Sequence, residues 1–248
     1  MVRGFEKKNR LLLVTGGAAG IGLAIIRRFV KEGWNILCHY RSNEETARKI
    51  QDEILCLGMK CDLIQADLST EEGIAGLVAS VQNRTVDSLV NNAGAYVAQK
   101  HFSEISLTDL SKSFLVNLAA PFLLSSALFP AMCERGFGRI VNISSIAAKY
   151  GGSPLSMHYG CLKRGLEGTT RTLAREGASK GVLVNTVRPG VIDTSFHQKH
   201  PKDLNARLEL IPVKRMGTSS DVAEMAFYLG SEMNAYITGQ TVAVSGGE

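Results

Sequence analysis

Arg10-Leu11-Leu12-Leu13-Val14-Thr15-Gly16-Gly17-Ala18-Ala19-Gly20-Ile21-Gly22 is the stretch of sequence that decides the fold. Its first half is an apolar run that predicts a short β-strand, and its second half is a glycine-rich turn. Apolar residues then recur at helical spacing until Gly33 ends the predicted helix. This order favours a dinucleotide-binding site, because the glycines let the backbone approach a pyrophosphate at the helix N-terminus. The alternative is an ordinary strand-to-helix turn that is rich in small residues.

The composition indicates one globular domain over residues 1–248. With 248 residues, of which 45% are hydrophobic, the chain is long enough to bury one sizeable core. The sequence shows no linker, internal repeat or low-complexity tract. The net charge of +5 comes from scattered cations, so we expect no nucleic-acid partner. A phosphate-bearing cofactor or an acidic substrate accounts for the charge balance equally well.

The cysteines and the hydropathy pattern predict a soluble, cytoplasmic protein without a metal site. The five cysteines have no metal-ligand spacing, and Cys38, Cys61 and Cys161 are expected to be reduced thiols in buried segments. No apolar run reaches membrane-spanning length, and no apolar signal core precedes the first strand. We therefore expect no membrane association.

Seven β-type runs alternate with helical periodicity along the chain. They predict an α/β fold with a single Rossmann-type, doubly wound parallel sheet and helices on both of its faces. Four cap-like patterns mark predicted helix starts, of which the first predicts a capping box and the second a helix cap: Ser42-x-x-Glu45, Ser69-x-x-Glu72, Ser106-x-x-Asp109 and Thr218-x-x-Asp221. The predicted strands are residues 10–15, 34–40, 60–66, 86–90, 139–145, 182–187 and 239–247.

Candidate catalytic residues are Ser145, Tyr159, Lys163 and Asn117. Tyr159 and Lys163 are four residues apart, so they share one helix face, and a nearby cation favours the anion of a phenol. Ser145 stands at the carboxyl end of a predicted strand, and open α/β sheets bind ligands at the carboxyl ends of their strands. A hydroxyl, an activated phenol and a lysine at one place suit hydride transfer at a carbonyl. Asn117 interrupts an apolar helix, which indicates a helix–helix hydrogen bond, a surface position or a kinked turn that holds water near Lys163.

The ends of the predicted strands carry candidate cofactor contacts. Arg41 ends the second strand, where an arginine accommodates the 2′-phosphate of NADP and an acid would bind the free ribose of NAD. It predicts that NADP(H) is preferred and that NAD(H) is possible; the alternative is a solvated arginine. Asp67 is placed to reach the adenine. The other contacts expected along the cofactor are Gly16, Gly20, Ile21, Gly22, Asn92, Ala93, Gly94, Tyr159, Lys163, Pro189, Gly190, Ile192 and Thr194.

Residues 195–216 are polar and rich in histidine and lysine, and they predict a lid over the substrate. His197 and His200 have no suitably spaced carboxylate or cysteine, so we interpret them as solvated side chains rather than metal ligands.

Together these motifs resemble the short-chain dehydrogenase/reductase family. They are Thr15-Gly16-x-x-x-Gly20-Ile21-Gly22, Asn91-Asn92-Ala93-Gly94, Asn117, Ser145, Tyr159-x-x-x-Lys163, and Asn185 with Pro189-Gly190. The resemblance implies a seven-stranded parallel sheet and a homodimer or homotetramer. It also implies that Tyr159 is the acid/base, that Lys163 lowers its pKa and binds the ribose, that Ser145 donates to the substrate carbonyl, and that Asn117 anchors a proton relay.

The sequence departs from the family pattern at two positions near the cofactor. Leu162 stands where relatives often have serine, which can alter contacts beside the cofactor. Ala19 stands where NADP-preferring relatives often carry a basic residue, so Arg41 is the single cation expected there.

The resemblance implies a carbonyl reductase like the 3-oxoacyl carrier-protein reductases, acting on a small or carrier-bound carbonyl substrate. The alternatives are a sugar or polyol dehydrogenase of the same family and a noncatalytic dinucleotide-binding protein. If the substrate is carried by an acidic protein, basic residues near the site entrance should make its KM sensitive to salt. The candidates are Arg135, Arg139, Arg175 and Lys180.

Overall fold

Seven β-strands form one sheet in the computed structural model, which describes residues 10–194 and 208–248. In chain order, β1 to β7 are Leu11–Val14, Asn35–Tyr40, Cys61–Gln65, Ser88–Asn91, Gly138–Ile143, Val182–Pro189 and Thr241–Val244. The spatial order is β3-β2-β1-β4-β5-β6-β7, and every neighbouring pair is parallel. The predicted seven-stranded, doubly wound parallel sheet is therefore confirmed. The order reverses between β1 and β4, and the crevice at such a point is where these folds bind ligands.

Helices cover both faces of the sheet. In chain order, α1 to α8 are Gly20–Val30, Glu44–Cys56, Glu71–Val81, Leu107–Phe114, Ala120–Glu134, Ala147–Tyr150, Met157–Gly177 and Ser219–Gly230. A π-helical turn, Leu115–Ala119, joins α4 to α5, and short 3₁₀ turns occupy Phe102–Glu104 and Ala178–Lys180.

The alternation of side chains along β1 shows how one strand serves two cores. Leu12 belongs to the core that is closed by Phe29 and Phe227 from α1 and α8. Its neighbour Leu13 points to the opposite face and packs in the core that contains Leu124 of α5. Successive strand residues face opposite sides of a sheet, and each fully buried large side chain contributes about 1.5–3 kcal/mol. This unbroken apolar pattern holds the carboxyl ends of the strands in fixed positions.

Two of the predicted helix caps are shifted by one residue. The N-cap of α2 is Asn43, which accepts a hydrogen bond from the Thr46 amide, and that of α3 is Thr70. The predicted capping box at Ser42 and the predicted cap at Ser69 are therefore wrong. For Ser69 the reason is visible, because its amide and its hydroxyl both donate to the Asp67 carboxylate. The patterns at Ser106 and Thr218 do form capping boxes.

One helical stretch in the described residues, Leu107–Glu134, is long and apolar enough to span a membrane by length and composition alone. The expectation that no apolar run reaches that length is wrong for this stretch. Lys112 and Asn117 interrupt the run in the sequence, but α4, the π turn and α5 are continuous in space. A core helix meets the same criterion, and here Leu124 and Met132 are buried against the sheet.

The expectations for the cysteines and for the lid have different outcomes. Cys38 and Cys61 are buried thiols as predicted, but Cys161 is exposed, because the buried face of α7 is the one that carries Tyr159 and Lys163. Most of the predicted lid, residues 195–207, lies outside the described residues.

Candidate active site

Ser145, Tyr159 and Lys163 line one cavity of about 520 Å³ at the carboxyl ends of the strands. Ser145 follows β5 by two residues, and Tyr159 and Lys163 lie in the first turns of α7. The Ser145 hydroxyl hydrogen-bonds the Tyr159 oxygen and accepts from the amide of Ala147 at 3.2 Å. The structure thus brings a hydroxyl, a phenol and an amine to one place, as the sequence predicts.

Burial dominates the electrostatics of the catalytic pair. Tyr159 is 8% exposed, and its burial, reinforced by Tyr96, raises the pKa of the phenol despite the hydrogen bond from Ser145. Lys163 is 2% exposed, and burial lowers its pKa to about 8. Its ammonium donates to the Ile143 carbonyl at 2.9 Å and lies 5.7 Å from the centre of the Tyr159 ring. The expectation that Lys163 lowers the phenol pKa is therefore not met in this structure, where burial raises it.

Asn117 lies inside the π-helical turn and is fully buried. Its amide nitrogen donates to the Ala95 carbonyl at 2.9 Å and to the Ser113 carbonyl at 3.0 Å, and its oxygen accepts from the Ala95 amide at 3.2 Å. The surface position is excluded, and the helix is deformed at this residue as the third alternative expects. Single π turns recur at functional sites. A Cβ on Gly94 would lie 3.2 Å from the Asn117 oxygen and 3.0 Å from the Lys163 ammonium, so both reach the same point.

The glycine-rich turn has the shape that a pyrophosphate needs. Gly16 has a φ of +65°, and a Cβ on Gly22 would lie 2.2 Å from the Gly16 carbonyl oxygen. Asn92 ties the turn to the end of β4, because its side chain donates to the carbonyls of Thr15 and Gly16 at 2.9 and 3.1 Å. The first turn of α1 carries no acidic residue. These residues fit a dinucleotide phosphate, since backbone amides and the helix N-terminus face it without a repelling carboxylate.

Arg41 and Asp67 line the other end of the cavity. The Asp67 carboxylate accepts from the amide and the hydroxyl of Ser69 at 2.9 and 2.7 Å. The amide hydrogen bond, chiefly, lowers the pKa of Asp67 although burial opposes it, and Arg41 adds a smaller effect. Arg41 is exposed beside this turn. An exposed guanidinium at this position fits a 2′-phosphate.

The turn after β6 forms the opposite wall of the cavity. The Pro189 carbonyl accepts from the Ile146 amide at 2.8 Å, and the Gly190 amide donates to the Val244 carbonyl. Ile192 is buried, and a Cβ on Gly20 would lie 3.5 Å from the Thr194 methyl, so this wall closes against the glycine-rich turn.

Most of the predicted contacts line this single cavity. Gly22 and Asn117 are behind its lining rather than in it, and Asn185 instead holds the loop before β7 through Ile237 and Gln240. The predicted residues in the lining are Gly16, Gly20, Ile21, Arg41, Asp67, Asn92, Ala93, Gly94, Ser145, Tyr159, Lys163, Pro189, Gly190, Ile192 and Thr194.

Several lining residues were not predicted, and two of them, Tyr96 and His39, contact predicted site residues directly. The Tyr96 ring contacts Tyr159 edge-on, with 4.3 Å between ring centres. His39 is buried at the end of β2, where Nδ1 accepts from the Gly16 amide at 3.0 Å and Nε2 donates to the Ala66 carbonyl at 3.0 Å. The signal for His39 was a polar residue near a strand's carboxyl end, two positions before Arg41. As a neutral imidazole, His39 holds the glycine-rich turn through the hydrogen bond that it accepts from the Gly16 amide.

Replacing His39 with asparagine is expected to reduce the loss of folding stability between about pH 7 and about pH 5. Burial lowers the pKa of His39 below its ordinary value of 6.5, although Ala66 and Asp67 oppose the shift. The unfolded chain therefore takes up a proton below that value while the folded chain stays neutral. The contribution of His39 is complete above 6.5 and declines as the pH falls toward the folded pKa, by at most about 1.4 kcal/mol per pH unit. Urea unfolding at both pH values measures it.

The control is His101→Asn, at an exposed position, which should keep the pH dependence of the parent chain. Equal pH dependence of the parent chain and His39→Asn would show that His39 is not held neutral.

The basic residues considered for a carrier protein lie away from the cavity within one chain. Arg139 is the second residue of β5, at the amino ends of the strands opposite the cavity, and it is buried with hydrogen bonds to the carbonyls of Ser231 and Asn234. Arg135 donates to the Val86 carbonyl, and Lys180 forms an ion pair with Glu176. Their expected place near the entrance is wrong, because flanking a catalytic strand in sequence puts a residue at the strand's start as readily as at its end.

Comparison with known proteins identifies a matching family and similar enzymes. The family whose sequence model matches residues 16–248 is described as enoyl-(acyl carrier protein) reductase. The 3-oxoacyl-[acyl-carrier-protein] reductase FabG of Staphylococcus epidermidis is 34% identical over 96% of this chain and 98% of its own. Glucose 1-dehydrogenase 2 of Bacillus subtilis is 35% identical over 96% and 94%.

A solved structure agrees with these relatives. The blue fluorescent protein from a metagenomic library, in complex with NADPH, has a TM-score of 0.90 at 32% identity and covers 97% of this chain and 99% of its own. These proteins resemble the chain over almost its whole length, and the motifs that the chain carries lie around one cavity. The chain belongs to the short-chain dehydrogenase/reductase family.

Proposed function

We propose that this protein is an NADP(H)-dependent carbonyl reductase of the 3-oxoacyl carrier-protein reductase kind, which interconverts a ketone and a secondary alcohol. One observation carries the proposal: Ser145, Tyr159 and Lys163 converge in the same cavity that the glycine-rich turn borders. A noncatalytic dinucleotide-binding protein would need the turn but not the three catalytic groups.

The residues divide the chemistry among themselves. The bound nicotinamide would supply the hydride. Ser145 is placed to donate a hydrogen bond to the substrate carbonyl, and Tyr159 to give its proton to the same oxygen as negative charge develops there. The phenol is protonated at neutral pH and can therefore supply this proton. Once Tyr159 has lost it, the Lys163 ammonium stabilises the phenolate. Asn117 fixes the Ala95 backbone beside Lys163 and remains our candidate for the anchor of a proton relay.

The cofactor assignment depends on Arg41. An exposed guanidinium at the end of β2 favours NADP(H), and the structural neighbour in complex with NADPH supports this choice. Ala19 lines the glycine-rich turn without adding a second cation. We therefore propose that NADP(H) is preferred and that NAD(H) is also accepted.

The substrate class is tested by a screen of carbonyl compounds with NADPH and NADH. We expect reduction of a 3-oxoacyl thioester to exceed that of sugars. Faster oxidation of glucose or a polyol would instead favour the alternative that the Bacillus relative represents. A 2-enoyl thioester belongs in the screen, because the family description names enoyl reduction. Cofactor binding without turnover of any of these compounds would favour the noncatalytic alternative.

Comparing a carrier-bound 3-oxoacyl substrate with a small thioester shows whether an acidic carrier is recognised. A KM that rises with salt for the carrier-bound substrate alone would indicate such recognition.

We also propose a homodimer or homotetramer in the cytoplasm. The helices α4 and α5 expose an apolar group of side chains, and such patches mark protein interfaces. The exposed apolar residues of these two helices are Leu107, Leu110, Phe114, Phe122 and Leu123. Light scattering measures the mass of the assembly.

The proposed compartment fits the cysteines, because all five are free thiols, as expected in a reducing compartment.

A further inference from the structure

A buried carboxylate lies directly behind the catalytic groups. Glu167 is one helical turn beyond Lys163 on α7 and is 5% exposed. Its Oε1 accepts from the Ser144 hydroxyl at 2.8 Å and from Arg188 Nε at 2.9 Å. Its Oε2 accepts from Arg188 Nη2 at 2.8 Å and from Arg164 at 3.1 Å. Burying a charge is costly unless it is paired and hydrogen-bonded, and here both oxygens are satisfied.

This carboxylate connects three segments that each carry part of the active site. Ser144 directly precedes Ser145, and its amide donates to the Val187 carbonyl of β6 at 2.8 Å. Arg188 directly precedes the Pro189–Gly190 turn. Glu167 itself belongs to the helix that carries Lys163. The ends of β5 and β6 are thus joined to α7 by one side chain.

The charges of this group persist at neutral pH. Burial alone would raise the pKa of Glu167, but the hydrogen bonds from Arg188 and Ser144 outweigh it and hold the pKa below its ordinary value. The same pairing raises the pKa of Arg188. A bidentate pair keeps its two partners in one relative orientation as well as attracting them.

We infer that Glu167 is a positioning residue for the reaction: through Ser144 and Arg188 it sets where the Ser145 hydroxyl and the Pro189–Gly190 turn stand relative to Lys163. Glu167 lines no part of the cavity. The inference rests on the proposed function. Small displacements of reacting groups are costly, so the loss of Glu167 should act on kcat. It should act less on cofactor affinity, because Lys163 and the Pro189–Gly190 turn are only part of the expected cofactor contacts, and the glycine-rich turn and Arg41 lie outside the segments that Glu167 joins.

The variant Glu167→Gln keeps the size of the side chain and removes its charge. We expect kcat to fall by about tenfold or more, and the Kd for NADPH to stay within about threefold of the parent value. Glu53→Gln is the matched control. Glu53 forms a bidentate pair with Arg27 at 3.0 and 2.8 Å, but on the exposed surface between α1 and α2. It should leave kcat unchanged.

A second variant guards against a folding defect. Ser144→Ala removes one hydrogen bond to the Glu167 carboxylate and leaves its contacts with Arg188 in place, and we expect it to lower kcat several-fold without changing the Kd for NADPH. If both residues act through one contact, the double variant should be no slower than Glu167→Gln alone. Near-UV circular dichroism verifies that each variant is folded at the assay temperature.

Three results would overturn the inference. They are an unchanged kcat in Glu167→Gln, fully additive effects in the double variant, and a loss of kcat that follows the folded fraction. An active parent chain with any of these contradicts this inference alone, whereas an inactive parent chain contradicts the proposed function and this inference with it.

Discussion

Replacing Tyr159 with phenylalanine is expected to lower kcat by about 10²–10⁴-fold and to leave the Kd for NADPH nearly unchanged. The phenol is placed against Ser145, and its hydroxyl carries the proton that the reduction needs. Phenylalanine lacks that proton but keeps the ring that packs on Tyr96, so the cavity should keep its shape. Steady-state kinetics on the best ketone of the screen gives kcat, and fluorescence titration gives the Kd.

The control for this change is Tyr236→Phe, at a side chain that is 95% exposed. It loses the same hydroxyl and should turn over like the parent chain. A Tyr159→Phe enzyme that keeps near-normal turnover would mean that another group supplies the proton. A parallel loss of NADPH binding would mean that the hydroxyl supports the cavity instead of the chemistry.

The fold could be predicted because its decisive features are local. Buried parallel strands are continuous apolar runs, and Leu11–Val14 with the turn after it is complete within one short stretch. The positions of Ser145, Tyr159 and Lys163 follow from the same logic. A residue at the carboxyl end of one strand and two residues on one helix face must meet once the sheet is parallel.

What could not be predicted depends on contacts between distant segments. The phenol pKa was expected to be lowered by Lys163, but burial raises it, and electrostatic interaction with Tyr96, from a stretch without regular periodicity, adds to the shift. Ser69 is not the helix cap that the sequence predicts, because its amide and its hydroxyl donate hydrogen bonds to the Asp67 carboxylate. Glu167 did leave a sequence signal, since it shares the buried face of α7 with Lys163, but its partner Arg188 is 21 residues away.

Replacing Arg41 with aspartate is expected to reverse the cofactor preference. The guanidinium at the end of β2 is exposed beside Asp67, where it can bind the 2′-phosphate of NADP bidentately without ever losing its charge. Hydrogen bonds to charged groups contribute about 1.5–3 kcal/mol, so kcat/KM for NADPH should fall by about one to two orders of magnitude. Aspartate would repel the phosphate and accept from the free ribose hydroxyl of NADH, whose kcat/KM should rise.

The comparison that decides this prediction is the ratio of kcat/KM for the two cofactors before and after the change. Arg171→Asp alters the net charge equally, at an exposed position outside the cavity. It should leave the ratio unchanged, which separates a local contact from long-range attraction. Because Ala19 adds no second cation to the glycine-rich turn, the parent preference for NADPH should be modest and its reversal by Arg41→Asp complete. An unchanged ratio in Arg41→Asp would mean that Arg41 points into solvent.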